Sequence, residues 1–194
     1  MKRLVVIALL FALLLGCSTL GTPVTRNNNL VQMPHYAFTA PADQGWHMQR
    51  ADGNFESVVL SNKVGPVLFQ MKFMRNVVLN PSMRAQPANV VADDFRGLEE
   101  RIMIEQGVKR GQYQLKNLVK EVRTLGNRTF YTMTYEAVAG TGTQFAALYL
   151  LFPKSEGNDS FIVAHYSESV PPSFSLAKSY KADFEALLQG MVLR

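Results

Sequence analysis

A single cysteine, Cys17, stands among 194 residues. No internal disulfide can form, so the fold must be held by its core alone, even in an oxidising compartment. Histidine is scarce too. His35, His47 and His165 lie far apart and lack the close spacing of a metal site. The 20 basic residues exceed the 15 acidic ones only mildly, which is no argument for nucleic acid as a partner. There is no G-x-S-x-G elbow, no H-E-x-x-H pair, no P-loop and no G-x-G-x-x-G turn. Asp52, Asn54 and Glu56 copy the first ligands of a calcium loop. The Gly that such a loop needs is Ser57, and its closing Glu is Lys63. No catalytic residue, cofactor or metal site is therefore assigned, and the chain reads as a non-enzyme. The longest apolar run, residues 4–15, would span about 18 Å as a helix, against a hydrocarbon core of about 30 Å. It is too short for a permanent membrane span.

What is present at the N-terminus is ordered. Lys2 and Arg3 precede the apolar run and Gly16 follows it, the layout of a secretory signal peptide. Leu14-Leu15-Gly16-Cys17 resembles the bacterial lipobox. The resemblance implies cleavage between Gly16 and Cys17, a diacylglyceryl thioether on Cys17, and acylation of the new amine by a palmitate-like chain. Each buried methylene contributes about 0.8 kcal/mol, and two or more chains anchor stably. Ser18, where an inner-membrane lipoprotein of this kind carries Asp, implies the outer membrane, facing the periplasm. An exported chain does not meet nucleic acid, and its first partner is the bilayer itself.

Residues 1–16 are thus assigned to the signal peptide. Residues 17–33, rich in Ser, Thr and Asn and without apolar period, read as a flexible tether of about 22 Å r.m.s. reach. Residues 34–194 are one domain, of a size that buries roughly 70% of its unfolded surface. Within it, alternation predicts strands at 36–39, 46–49, 55–60 and 67–78. A loop with two prolines is expected over 80–87. Val91, Phe95, Leu98 and Ile102 form one apolar stripe and predict a helix over 90–106, with Asn89 as its cap and Gly107 as its stop. A hairpin follows, 112–124 and 128–138, turning at Gly126-Asn127. The strand at 144–152 is apolar on both faces and needs cover on both. A further strand spans 160–167. Beyond Pro171-Pro172, Ser173 is expected to cap a last helix carrying Leu176, Tyr180, Phe184, Leu187, Leu188 and Met191.

Hairpins predominate, so the sheet should be largely antiparallel. The fold class is α+β, an α/β/α sandwich with two main helices on opposite faces. The order of elements resembles the PsbP-like fold, carried by residues 41–46, 99–106, 126–135 and 184–191. That fold is shared by an extrinsic photosystem II subunit, a Ran-binding nuclear factor and bacterial envelope lipoproteins. The resemblance implies a binder more than an enzyme, and no single function.

Three functional readings remain. In the first, the domain is a binding or scaffolding module for an envelope protein. Lys109, Arg110, Lys116, Lys120, Arg123 and Arg128 then offer a basic face. Lys116 and Lys120 should share one side of a strand, where each contributes about 1 kcal/mol toward an anionic surface; edge-strand lysines also serve simply to discourage pairing. In the second, the Met and aromatic residues of 67–74 and 130–135 line a cavity for a small apolar ligand, although such residues more often fill a core. In the third, His165 joins a remote Ser and Asp in a hydrolase triad.

Overall fold

The computed structural model describes residues 21–51, 56–153, 159–176 and 178–194, and everything structural below refers to these. The alternating stretches form the strands β3 (Tyr36–Thr39), β4 (His47–Ala51), β5 (Ser57–Val64), β6 (Val67–Val77), β7 (Gln114–Leu125), β8 (Arg128–Ala139), β9 (Gly142–Leu151) and β10 (Ser160–Val170). Two short strands, β1 (Thr22–Pro23) and β2 (Leu30–Gln32), precede them, and β11 (Val192–Leu193) closes the chain. An eight-stranded sheet runs in the order β1-β4-β5-β6-β10-β9-β8-β7, and β11-β3-β2 form a smaller one. Every pairing is antiparallel.

The helices are α1 (Pro81–Arg84), α2 (Ala88–Met103) and α3 (Lys181–Gly190). α2 and α3 lie on opposite faces of the large sheet, as shown by the two separate cores they join. The architecture is the expected α/β/α sandwich. On the α3 face, Phe184 packs against Phe73, Tyr149 and Tyr166, with ring centroids 5.4–5.8 Å apart. Aromatic pairs of this kind contribute about 0.5–1.5 kcal/mol beyond the area they bury. The small sheet joins the same core: Phe38 meets Phe73 at 4.5 Å, and the Tyr36 hydroxyl donates to the Phe73 carbonyl.

Four sequence expectations need correction. The tether does not extend to residue 33. β1 pairs with β4 and β2 with β3, and Val24, Val31 and Met33 are buried. Strands of two or three residues are too short to show a period, so polar composition hid them. The loop over 80–87 contains α1, because Asn80 accepts a hydrogen bond from the Ser82 N–H and Pro81 occupies the first turn.

The buried side of α2 is rotated from the expected stripe. Val91, Ala92, Arg96, Glu99 and Met103 are buried, while Leu98 and Ile102 are only half-covered. The helix starts at Ala88 rather than behind Asn89, and it passes Gly107 in a π-helical turn, Ile104–Val108. Gly107 is needed for packing: a Cβ there would sit 1.9 Å from the Tyr113 ring, whose hydroxyl donates to the Met103 carbonyl. Finally, Ser173 does not cap α3. It adopts φ +70°, and α3 begins only at Lys181. The Tyr180 N–H is held by the Tyr166 hydroxyl at 2.8 Å, and its ring packs on Trp46 and Phe69. Those contacts fix an irregular approach segment in place of an earlier turn of helix.

Candidate functional site

The two faces of the large sheet are not covered equally. α2 sits over β8, β9 and β10, where Met133, Tyr135, Leu148, Leu150, Phe161 and Val163 are buried. No residue of β4 or β5 belongs to that core. On this face the register aligns a transverse row of Gln49, Val59, Lys72, His165, Leu148, Met133 and Lys120. The next row holds His47, Ser61, Gln70, Ser167, Ala146 and Tyr135. Residues directly opposite in antiparallel pairs share a face. The two rows therefore place Ser61, Gln70, Lys72, His165 and Ser167 in one polar block beside α2. Gln70 Nε2 donates to Ser61 Oγ at 3.4 Å.

Glu99 enters this block from the buried side of α2 and is only 9% exposed. Burial pushes its carboxyl up to about 7, and the Lys72 cation opposes the rise. Lys72 is shifted the other way: burial lowers it, and Glu99 partly restores it. His165 is depressed to about 4 by burial, with repulsion from Lys72 adding to the effect. Tyr135 is raised, by burial first and then by Glu99 and Tyr113. At neutral pH the block thus offers an uncharged imidazole, an ammonium held in poor solvent, a carboxyl near half-protonation, an amide and two hydroxyls. This set can donate and accept many hydrogen bonds. His165 and Ser167 are two residues apart on one strand face, roughly 6.6 Å between Cα atoms. The groups that shift His165 include no carboxylate.

The other expected site residues fall elsewhere. Gly16 and Cys17 lie outside the described residues, as do Asp52 and Asn54. Glu56 is buried, with His35 Nδ1 2.5 Å from one carboxylate oxygen and the His35 N–H on the other. Lys116 and Lys120 do not share a side. Asn117 takes φ +52°, and the register slips between Lys116 and Val119, so Lys116 opposes Glu136 and Lys120 opposes Met133. Glu136 and Met133 are three apart on β8 and face opposite ways. Lys120 is instead paired with Glu100 on α2, and Arg123 with Glu185 on α3 at 2.7 Å. The basic hairpin is therefore split between two faces and partly neutralised. The Met and aromatic residues of β6 and β8 fill the cores. Of the clefts found among the described residues, one of about 430 Å³ is lined by Gly140, Thr143, Pro172 and Phe174, and one of about 340 Å³ by Thr39, Gln44 and Asp183. Both are open to solvent.

Glu99 and Lys72 were not singled out by sequence reasoning, although each left a sign. Lys72 and Gln70 are the polar positions of the otherwise apolar stretch 67–74. Glu99 lies four residues from both Phe95 and Met103, on the buried side.

No described group of His, Cys, Asp and Glu could hold a metal ion, and no described helix is long and apolar enough to cross a membrane. No protein-family model matches the chain, nor does any curated protein. Solved structures do. The cyanobacterial PsbP protein (CyanoP) of Synechocystis is 15% identical over 92% of this chain and 98% of its own, with a TM-score of 0.51. A protein of Bacteroides thetaiotaomicron is 13% identical over 82% of this chain and 45% of its own, at TM-score 0.40. LpqN of Mycobacterium tuberculosis, involved in cell envelope biogenesis, is 9% identical over 89% of each chain, at TM-score 0.27. The likeness to CyanoP shows the PsbP-like fold and nothing finer.

Proposed function

We propose that this PsbP-like domain is a non-enzymatic binding module of the bacterial envelope, held to the outer membrane through an acylated Cys17 and facing the periplasm. The signal-peptide layout and the lipobox-like run at residues 14–17 support the anchor. The observation that carries the binding reading is the open half of the α2 face. Ser61, Gln70, Lys72, His165 and Ser167 are gathered there on a rigid sheet, and sites built on strands keep their geometry better than sites on loops. A ligand carrier would need an enclosed apolar cavity, and the clefts are open.

The reading is tested in living cells with a photo-crosslinking residue at position 70 of the full chain, against the same residue at Arg110. An envelope protein captured from position 70 and not from position 110 is the expected result. Equal capture at both positions, or none at 70, would overturn it.

A further inference from the structure

The chain that leads to the anchor meets the fold much later than its composition implies. Thr22 pairs with Met48 and Pro23 with His47, which puts Gly21 level with Gln49. The contact is close: a Cβ on Gly21 would lie 2.2 Å from the Met48 carbonyl oxygen. Gly21 is thus locked against β4. Antiparallel pairing also gives the chain a direction. Traced backwards from Gly21, it heads toward Arg50 and Ala51, the end of the sheet where β5 and β10 begin and β6 finishes.

Only Ser18, Thr19 and Leu20 separate Gly21 from Cys17. Four extended residue steps reach at most about 14 Å. Gly21 shares its row with Lys72, five residues from Val77 at the near end and five from Val67 at the far end. Each distance is roughly 17 Å along the strand. That reach, about 14 Å from Gly21, stops a little short of either end; the direction of β1 favours the near one, and the acyl chains on Cys17 extend the reach further.

Apolar side chains are exposed at the near end, as Val64 and Phe174 are at the far end. Leu79 is 74% exposed, Val90 39% and Val77 38%. They flank Val78 and Val91, which are buried in the α2 core, so the exposed residues ride on a fixed base. Two arginines lie at the same end. Arg84 donates to the Val78 carbonyl, and Arg75, two residues before Val77, lies 3.9 Å from Glu56. The described acids here are Asp159, 3.8 Å from Arg84, Asp93, paired with Arg96, and Asp94. Each of the first two is already matched by a cation.

We infer that this end of the sheet rests on the bilayer, with Leu79 and Val90 set among the lipid and Arg75 and Arg84 at headgroup level. The occupant of the patch is the membrane that the anchor itself enters. The inference rests on acylation of Cys17. Apolar side chains seated below arginines at the headgroup level are the usual form of an interfacial contact. The consequence is a fixed orientation: the β4–β5–β6 trough stands upright on the membrane, and the cleft at Gly140 and Phe174 points away from it.

The test uses the full chain, purified from membranes and reconstituted in vesicles of mixed zwitterionic and anionic lipid. Leu79→Cys and Phe174→Cys variants carry a fluorophore, and quenchers are placed within the lipid phase. Lipid-phase quenching severalfold stronger at position 79 than at position 174 is expected. Equal quenching at both positions, in protein whose mass shows acylated Cys17, would overturn the orientation and leave the anchor intact. An unmodified Cys17 in the same preparation would overturn the anchor and the orientation with it.

Discussion

The two faces of the central sheet solve the same covering problem in opposite ways. On the α3 face, one short helix, a three-stranded sheet and a cluster of rings leave no side chain in doubt. Apart from the Trp46 Nε1, buried polar groups there find local partners: the Tyr166 hydroxyl and Ser179 Oγ both donate to Glu168, and the Tyr149 hydroxyl and Arg123 both donate to Glu185. On the α2 face, a longer helix covers only half of the sheet and brings a guanidinium and a carboxyl inward. Arg96 donates to the Glu121 and Thr132 carbonyls and ties α2 to the edge hairpin. Glu99 meets Lys72. The first face is organised for stability. The second buries Arg96 and Glu99 beside the partly exposed Gln70, Lys72 and His165, and costly groups gathered at a half-covered face are the usual mark of a working surface.

The contrast can be broken most forcefully at Phe184. Phe184→Ala should cost about 3–5 kcal/mol in denaturant unfolding, because a fully buried ring leaves a cavity that its neighbours cannot close. A loss no larger than that of a surface change would show the α3 face to be loosely packed.

A sharper comparison comes from pH. The native Glu99 carboxyl titrates at about 7, above its ordinary 4.5, so the folded state holds this proton more tightly. Its contribution is full at low pH and drains away as pH rises through about 7. His165 acts in the other sense. Its native value of about 4 lies below 6.5, so its contribution is lost as pH falls from 6.5 toward 4. The two opposed slopes should leave stability nearly flat between pH 5 and 6.5, with a small further fall that ends near pH 7. Glu99→Gln should remove the fall, gaining roughly 1–3 kcal/mol at pH 8 relative to pH 5. Parallel curves for the two proteins would refute the assignment.

The smallest effect is expected at the trough. Lys72→Met should change stability by no more than about 0.5 kcal/mol, since it removes a poorly solvated charge and leaves Glu99 neutral over most of the range. The same variant should abolish crosslinking from position 70. If it destabilises the fold as strongly as Phe184→Ala, the block is structural.

How much of this was legible in the sequence depends on what each residue had to signal. β6 and β9 were readable because long alternation and apolarity on both faces leave few alternatives. β1 and β2 were hidden, since a pair of residues has no period. The inward turn of Arg96 and Glu99 was hidden for another reason. Both count as polar in any stripe, and only the sheet beneath shows that carbonyls and an ammonium are waiting for them. The site itself is a product of register: Lys72, Ser61 and His165 lie on three strands, and no spacing along the chain could unite them.

The slip at Asn117 shows what one extra residue can do. Leu115 and Leu118 are an odd number of places apart, yet both pack into the α2 core. An unbroken ladder would send one of them into solvent. The kink lets a single outermost strand be read in two frames, one before it and one after. Excising Asn117 would leave Leu115 and Leu118 two places apart, and one regular ladder would then carry both into the same core.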